Sequence, residues 1–98
     1  MTPRLVVRPQ AAAELLEAQQ WFDEQRTGLG QEFGLEVDLT ISEVLIRPES
    51  FPRVHGEMRR AIVHRFPYGV FFRIGADAIV VLGIIHGHRD PESWRQRR

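Results

Sequence analysis

The sequence predicts an α+β fold, β-α-α-β-β-β, with a helical hairpin packed on a small, mostly antiparallel sheet and a short C-terminal helix or tail. Three observations predict it. Residues 10–47 keep helical periodicity, broken only at Thr27-Gly28-Leu29-Gly30. Residues 59–86 hold three apolar stretches separated by Pro67-Tyr68-Gly69 and Gly75-Ala76-Asp77, and joints that short force antiparallel pairing. The chain has 98 residues, which suits a single domain spanning 1–98.

Each element follows from its residues. Arg4–Arg8 is a short strand stopped by Pro9, with its pairing direction left open. Gln10–Arg26 is a helix of good helix formers without internal Gly or Pro, and Ala11, Leu15, Ala18 and Phe22 make its apolar stripe. Trp21 and Phe22 are read as core aromatics. Gly28 is a natural cap past the helix end. Gln31–Arg47 is the second helix, with Phe33, Val37, Ile41 and Val44 facing the core, and the short break makes the two helices an antiparallel hairpin. Leu35, Leu39 and Ile46 form a second stripe on this helix, so it either lies under more structure or offers a face to a partner. A close approach of another backbone would explain Gly34 within it.

Pro48–Pro52 is a loop, since two prolines forbid regular structure there. Arg59–Phe66, Val70–Ile74 and Ala78–His86 are strands. The last does not alternate with polar residues, so both of its faces are covered and it is central. Asp90-Pro91 starts a final turn or two of basic helix, or a frayed tail, as N-cap and first helical residue.

Composition narrows the function classes. Hydrophobic residues at 43% and charged residues at 27% exclude a disordered chain. No cysteine is present, which excludes disulfides, cysteine–zinc sites and thiol nucleophiles. No apolar run reaches the length of a membrane span and no signal peptide is legible, so a cytoplasmic protein is expected. Gly28-Leu29-Gly30 follows a helix rather than a strand and is no phosphate loop. His86 and His88 have no third ligand in sight, so no metal is expected, and no cofactor.

The net charge of zero hides a division. Residues 1–46 carry three arginines against eight acids; residues 47–98 carry ten arginines against five. All thirteen cations are arginine, the side chain whose planar fork suits phosphate and carboxylate. An acid-rich helical half and an arginine-rich sheet half imply charged partners, with the sheet as the working surface unless its guanidinium groups are consumed by the helices.

Taken together, the order of elements and a set of local matches resemble the RelE/ParE family of toxins from bacterial type II toxin–antitoxin modules. The matches are Trp21-Phe22, Gly28-Leu29-Gly30 and Phe33; then Pro48, Phe51-Pro52 and Arg59-Arg60. The string Arg65–Ile74 and the ending His86-Gly87-His88-Arg89-Asp90-Pro91 with Trp94 complete them. The resemblance spans nearly the whole chain. It implies a toxin neutralised by a cognate antitoxin in a hetero-oligomer. RelE-like members cut mRNA on the ribosome without metal; ParE-like members poison DNA gyrase and require no catalytic group. Many nuclease members carry an arginine where this chain has Gly69, and some carry lysines that it lacks, so the likeness is closer to the ParE-like branch. A non-toxic binding module is the third alternative.

For a nuclease the candidate residues are Arg65, His86 and Arg89, the histidine suited by its ordinary pKa to acid–base work and the arginines to the phosphate. Arg60, Tyr68 and Arg73 accompany them. For partner binding the candidates are Leu35, Leu39, Ile46, Arg60, Arg65, Tyr68, Arg73, Arg89 and Trp94. A segment that is apolar on one side and acidic on the other, lying over Arg60, Arg65 and Arg89, fits that surface and would order on binding.

Overall fold

The computed structural model describes residues 3–98. Strand β1 (Arg4–Val7) leads into helices α1 (Pro9–Gln25) and α2 (Leu29–Ile46), followed by β2 (Arg53–His55), β3 (Met58–Ile62), β4 (Tyr68–Ile74) and β5 (Ala78–His86). Single 3-10 turns occupy Pro48–Ser50 and Pro91–Ser93. The five-stranded sheet has the order β1-β5-β4-β3-β2, antiparallel throughout except that β1 pairs parallel with β5. This is the α+β arrangement the sequence predicts, with one strand more.

The extra strand, β2, joins β3 through a tight turn in which Gly56 has φ 55°. It is only three residues long, exposed at both ends, and too short to show a period. Strand β3 ends at Ile62, four residues before the expected limit, because Val63–Phe66 turn away through Arg65 at φ 73°. Strand β5 is interior as expected, although β4 is the middle strand.

Proline starts α1 at its first position, where a missing N–H costs nothing. Helix α2 starts at Gly28, which is left-handed at φ 91°, and the Asp23 carboxylate at the end of α1 accepts from the Gly30 amide at 2.8 Å. The close backbone approach falls at Gly30, where a side chain would run into the carbonyl of Gln19; Gly34 meets the Gln19 amide side chain instead. The helices therefore pack tightly at their joined ends.

Two cores flank the sheet. The larger holds Ala11, Ala18 and Phe22 of α1, Phe33, Val37 and Val44 of α2, and the helix-facing residues Val70, Phe72, Ile79, Val81 and Ile84. The rings of Phe22, Phe33, Phe66 and Tyr68 meet at 4.9–5.9 Å and tie both helices to the β3–β4 turn. The smaller core lies on the other face: Met58, Phe71, Val80, Leu82 and Ile85 under Trp94 of the tail, whose ring stands 4.7 Å from that of Phe71. Trp21, expected in the core, is 54% exposed, because it stands one residue off the stripe that Ala18 and Phe22 define.

One ion pair holds the tail down. Strand β1 covers β5 only as far as Val81, and Leu82, which has no partner opposite it on β4, forms a bulge just beyond. There the Ile84 amide donates to the Glu14 carboxylate at 3.1 Å, and Arg97 donates to the Leu82 carbonyl at 3.2 Å and to both Glu14 oxygens at 2.8 and 2.9 Å. Side chains thus complete the hydrogen bonding of an uncovered strand edge. The glycine at 83 makes room, since a Cβ there would lie 2.5 Å from Arg97 Nη1. Glu14 and Arg97 side chains are 10% and 7% exposed, so removing one leaves the other a nearly buried charge. Glu14→Ala is expected to cost about 3 kcal/mol or more, and Trp94→Ala about 3 kcal/mol, both read from urea unfolding. A loss under about 1 kcal/mol for Glu14→Ala would show the latch to be idle.

Candidate functional site

The sequence-predicted residues fall in two places. Leu35, Leu39 and Ile46 point outward from α2, exposed by 57%, 63% and 76%. Among the described residues nothing covers that stripe. Arg60, Tyr68, Arg89 and Trp94 line one groove of about 260 Å³ on the sheet face away from the helices, together with Ile62, Pro67, His86 and His88. Arg73 lies outside it and lines a neighbouring groove of about 540 Å³ with His55, Met58, Leu82 and the tail arginines.

Many arginines are already engaged. Arg65 donates to Glu32 at 2.9 Å and approaches Glu36 at 3.5 Å, so it clasps the β3–β4 turn to α2 rather than offering a free fork. Arg89 contacts Glu14 at 3.4 Å. Arg59 donates to the carbonyls of Phe51 and Glu49. Arg60 and Arg73 form no ion pair or hydrogen bond among the described residues, and both are half-buried on the outer sheet face. Arg60 and Arg73 thus carry their charge without an acid partner among the described residues, while acids of the helices engage Arg65 and Arg89. Trp94 is 7% exposed; it builds the groove wall from inside and presents little surface of its own.

Gly69 shapes the groove. A Cβ at this position would crowd the Arg60 stem at 3.0–3.1 Å. Without one, the stem lies flat across β4 and the guanidinium reaches the Phe71 ring at 6.0 Å. The position where the resemblance leads one to look for an arginine is thus overlaid by an arginine from the neighbouring strand.

Tyr68 and His86 are directly paired across β4 and β5, with rings 5.2 Å apart. They separate the outer groove from a cleft of about 350 Å³ on the helix side, lined by Glu14, Glu17, Trp21 and Arg89. Burial pushes the Tyr68 hydroxyl above its usual pKa; Arg89 opposes the rise and Glu14 adds to it. His86 Nδ1 accepts from the His88 amide at 3.0 Å, so in the neutral ring the proton sits on Nε2. No group of three or more His, Cys, Asp or Glu that could hold a metal ion occurs among the described residues.

Sequence reasoning missed Glu14 and Arg97, which position the groove by fixing the tail. A signal for Glu14 was present: it lies three residues past Ala11 and four before Ala18, a carboxylate on the core-facing side of α1. Arg97 left no comparable mark.

Solved structures share this geometry. A solved chain described as "Chromosomal ParDE TA system from P. aeruginosa" superposes with a TM-score of 0.76 at 14% identity, covering 87% of this chain and 96% of that one. The two share a fold. No protein-family profile and no curated protein matches the sequence.

The Arg65 clasp is sensitive to acid. Hydrogen bonds from Arg65 and Arg26 hold the Glu32 carboxyl below its ordinary value. A carboxyl so lowered stabilises the fold above its unfolded pKa and loses that contribution as pH falls through the folded one. The Val63 and Tyr68 amides, hydrogen-bonded across this turn, are expected to lose exchange protection below about pH 4.5, and Glu32→Gln is expected to weaken that dependence at a level set by an exposed pair. Identical exchange profiles for the two proteins would remove the clasp.

Proposed function

We propose that this chain is the toxin of a type II toxin–antitoxin module, ParE-like, acting in the cytoplasm on DNA gyrase when free and stabilising the plasmid or locus that encodes it. A cognate antitoxin holds it inactive in a hetero-oligomer. The observation that carries this reading is the fold shared with the ParDE chain over most of both molecules. Two surfaces support it: the exposed stripe Leu35, Leu39 and Ile46, and the outer groove with its unpaired Arg60. An antitoxin segment with an apolar side and an acidic side meets the needs of both. The engagement of Arg65 and Arg89 by acids speaks for action by binding, since a phosphate transition state needs free cations.

A ribosome-dependent endoribonuclease is the second reading, favoured by the Tyr68–His86–His88 cluster, in which the His88 amide holds His86 Nδ1 and leaves Nε2 as the ring nitrogen available to a substrate. Expression of the chain alone decides first: growth arrest is expected, relieved by the product of the adjacent reading frame. Unimpaired growth would leave only a non-toxic binding module. Purified gyrase is then expected to lose supercoiling activity in the presence of the chain, with His86→Ala and Arg89→Ala as potent as the parent. Normal supercoiling, with cleavage of translated message abolished by those two substitutions, would transfer the assignment to the nuclease. Leu39→Asp with Ile46→Asp is expected to weaken antitoxin binding at least about tenfold without loss of stability, because both side chains are already in water; calorimetric titration checks it.

A further inference from the structure

We propose that the free chain associates head to tail with further copies of itself, the α2 stripe of one copy seated in the outer groove of the next.

The two faces match in shape and in sign. Leu35, Leu39 and Ile46 form a convex ridge, exposed by 57%, 63% and 76%. Asp38 stands three residues from Leu35 and Glu43 four residues from Leu39, so each carboxylate neighbours the ridge. Both acids are exposed, and neither has an ion-pair partner among the described residues. The groove of about 260 Å³ lies on the other side of the molecule, where Ile62, Pro67, Pro91 and Trp94 line it together with the unpaired Arg60. Ile62 follows Arg60 by two residues, on the same strand face, and is 66% exposed. An apolar ridge beside two free acids therefore has its counterpart in a largely apolar groove beside a free cation. Helices dock into grooves in this way, through anchors spaced by whole turns, and the ridge residues step by four and seven.

Charge selects the arrangement. A two-fold contact between ridges gathers Asp38 and Glu43 of both copies into one interface, and a two-fold contact between grooves brings Arg60 to Arg60. Only the heterologous contact sets acid against arginine. It leaves a free ridge at one end and a free groove at the other, so association continues until a ring closes or a filament grows. With a net charge of zero, the copies do not repel one another at long range.

Self-association of this kind goes beyond the toxin reading and occupies the two surfaces on which that reading places the antitoxin. Copies of the chain and the antitoxin then compete for the same faces.

Sedimentation equilibrium of the full chain tests it. At about 10 mM salt, where charges act over about 30 Å, the average mass is expected to climb with concentration beyond that of a dimer. At about 1 M salt, where that range is about 3 Å, association is expected to weaken at least about tenfold. Arg60→Glu spoils the groove, and Leu39→Ser with Ile46→Ser spoils the ridge; each variant alone is expected to be monomeric. Mixed one to one, the two are expected to form a dimer and nothing larger, because the mixture contains a single matching pair of faces. That dimer also shows both variants to be folded. A parent chain that stays monomeric at every concentration, a dimer that survives Arg60→Glu, or a mixture that stays monomeric would overturn the head-to-tail contact. The growth assay reads the toxin assignment separately: arrest by a strictly monomeric chain sinks the self-association alone, and self-association without arrest sinks the toxin alone.

Discussion

The outer face of this sheet depends on one carboxylate. Glu14 rises from α1 at the point where β1 stops covering β5 and receives the Ile84 amide and the Arg97 guanidinium together. An uncovered strand edge next to a bulge would otherwise leave polar backbone unpaired or open to another chain. Satisfying it with side chains fixes the tail, the tail brings Trp94 onto Phe71, and Trp94 supplies one wall of the groove. The helical layer and the outer groove are thereby coupled through an ion pair at the edge between them. Lying almost out of water, that pair is costly to break.

Charge is distributed by a similar logic. The acid-rich half of the chain folds into helices and the arginine-rich half into the sheet, and where they meet the charges cancel: Arg65 with Glu32 and Glu36, Arg89 and Arg97 with Glu14. These contacts orient the β3–β4 turn and the tail. On the outer face Arg60, Arg73 and Arg98 have no acid partner among the described residues.

The groove also depends on what is absent from position 69. A Cβ there would come within 3.0–3.1 Å of the Arg60 stem and the Phe71 ring, so both would have to give way. Tyr68, next in line, belongs to the aromatic cluster of the helical core and to the groove at once.

The sequence by itself determined the elements whose signal is local. The periodicity of Ala11, Ala18 and Phe22, the break at Gly28, the uninterrupted apolar run of β5 and the Asp90-Pro91 start are all properties of neighbouring residues, and each stands where it was expected. Leu35, Leu39 and Ile46 were legible as a second apolar stripe, but that they face outward was decided by the fold. Tertiary structure decided whatever depended on distant partners. The parallel pairing of β1 joins residues some seventy positions apart. Strand β2 exists only because β3 lies beside it. Trp21 faces water and Trp94 does not, since a tail with no period of its own gives no hint of the face it will cover. Above all, thirteen identical cations look alike in a sequence. Which of them are neutralised and which are left to act is set by the acids that folding brings within about 4 Å, since at that separation attraction outweighs screening.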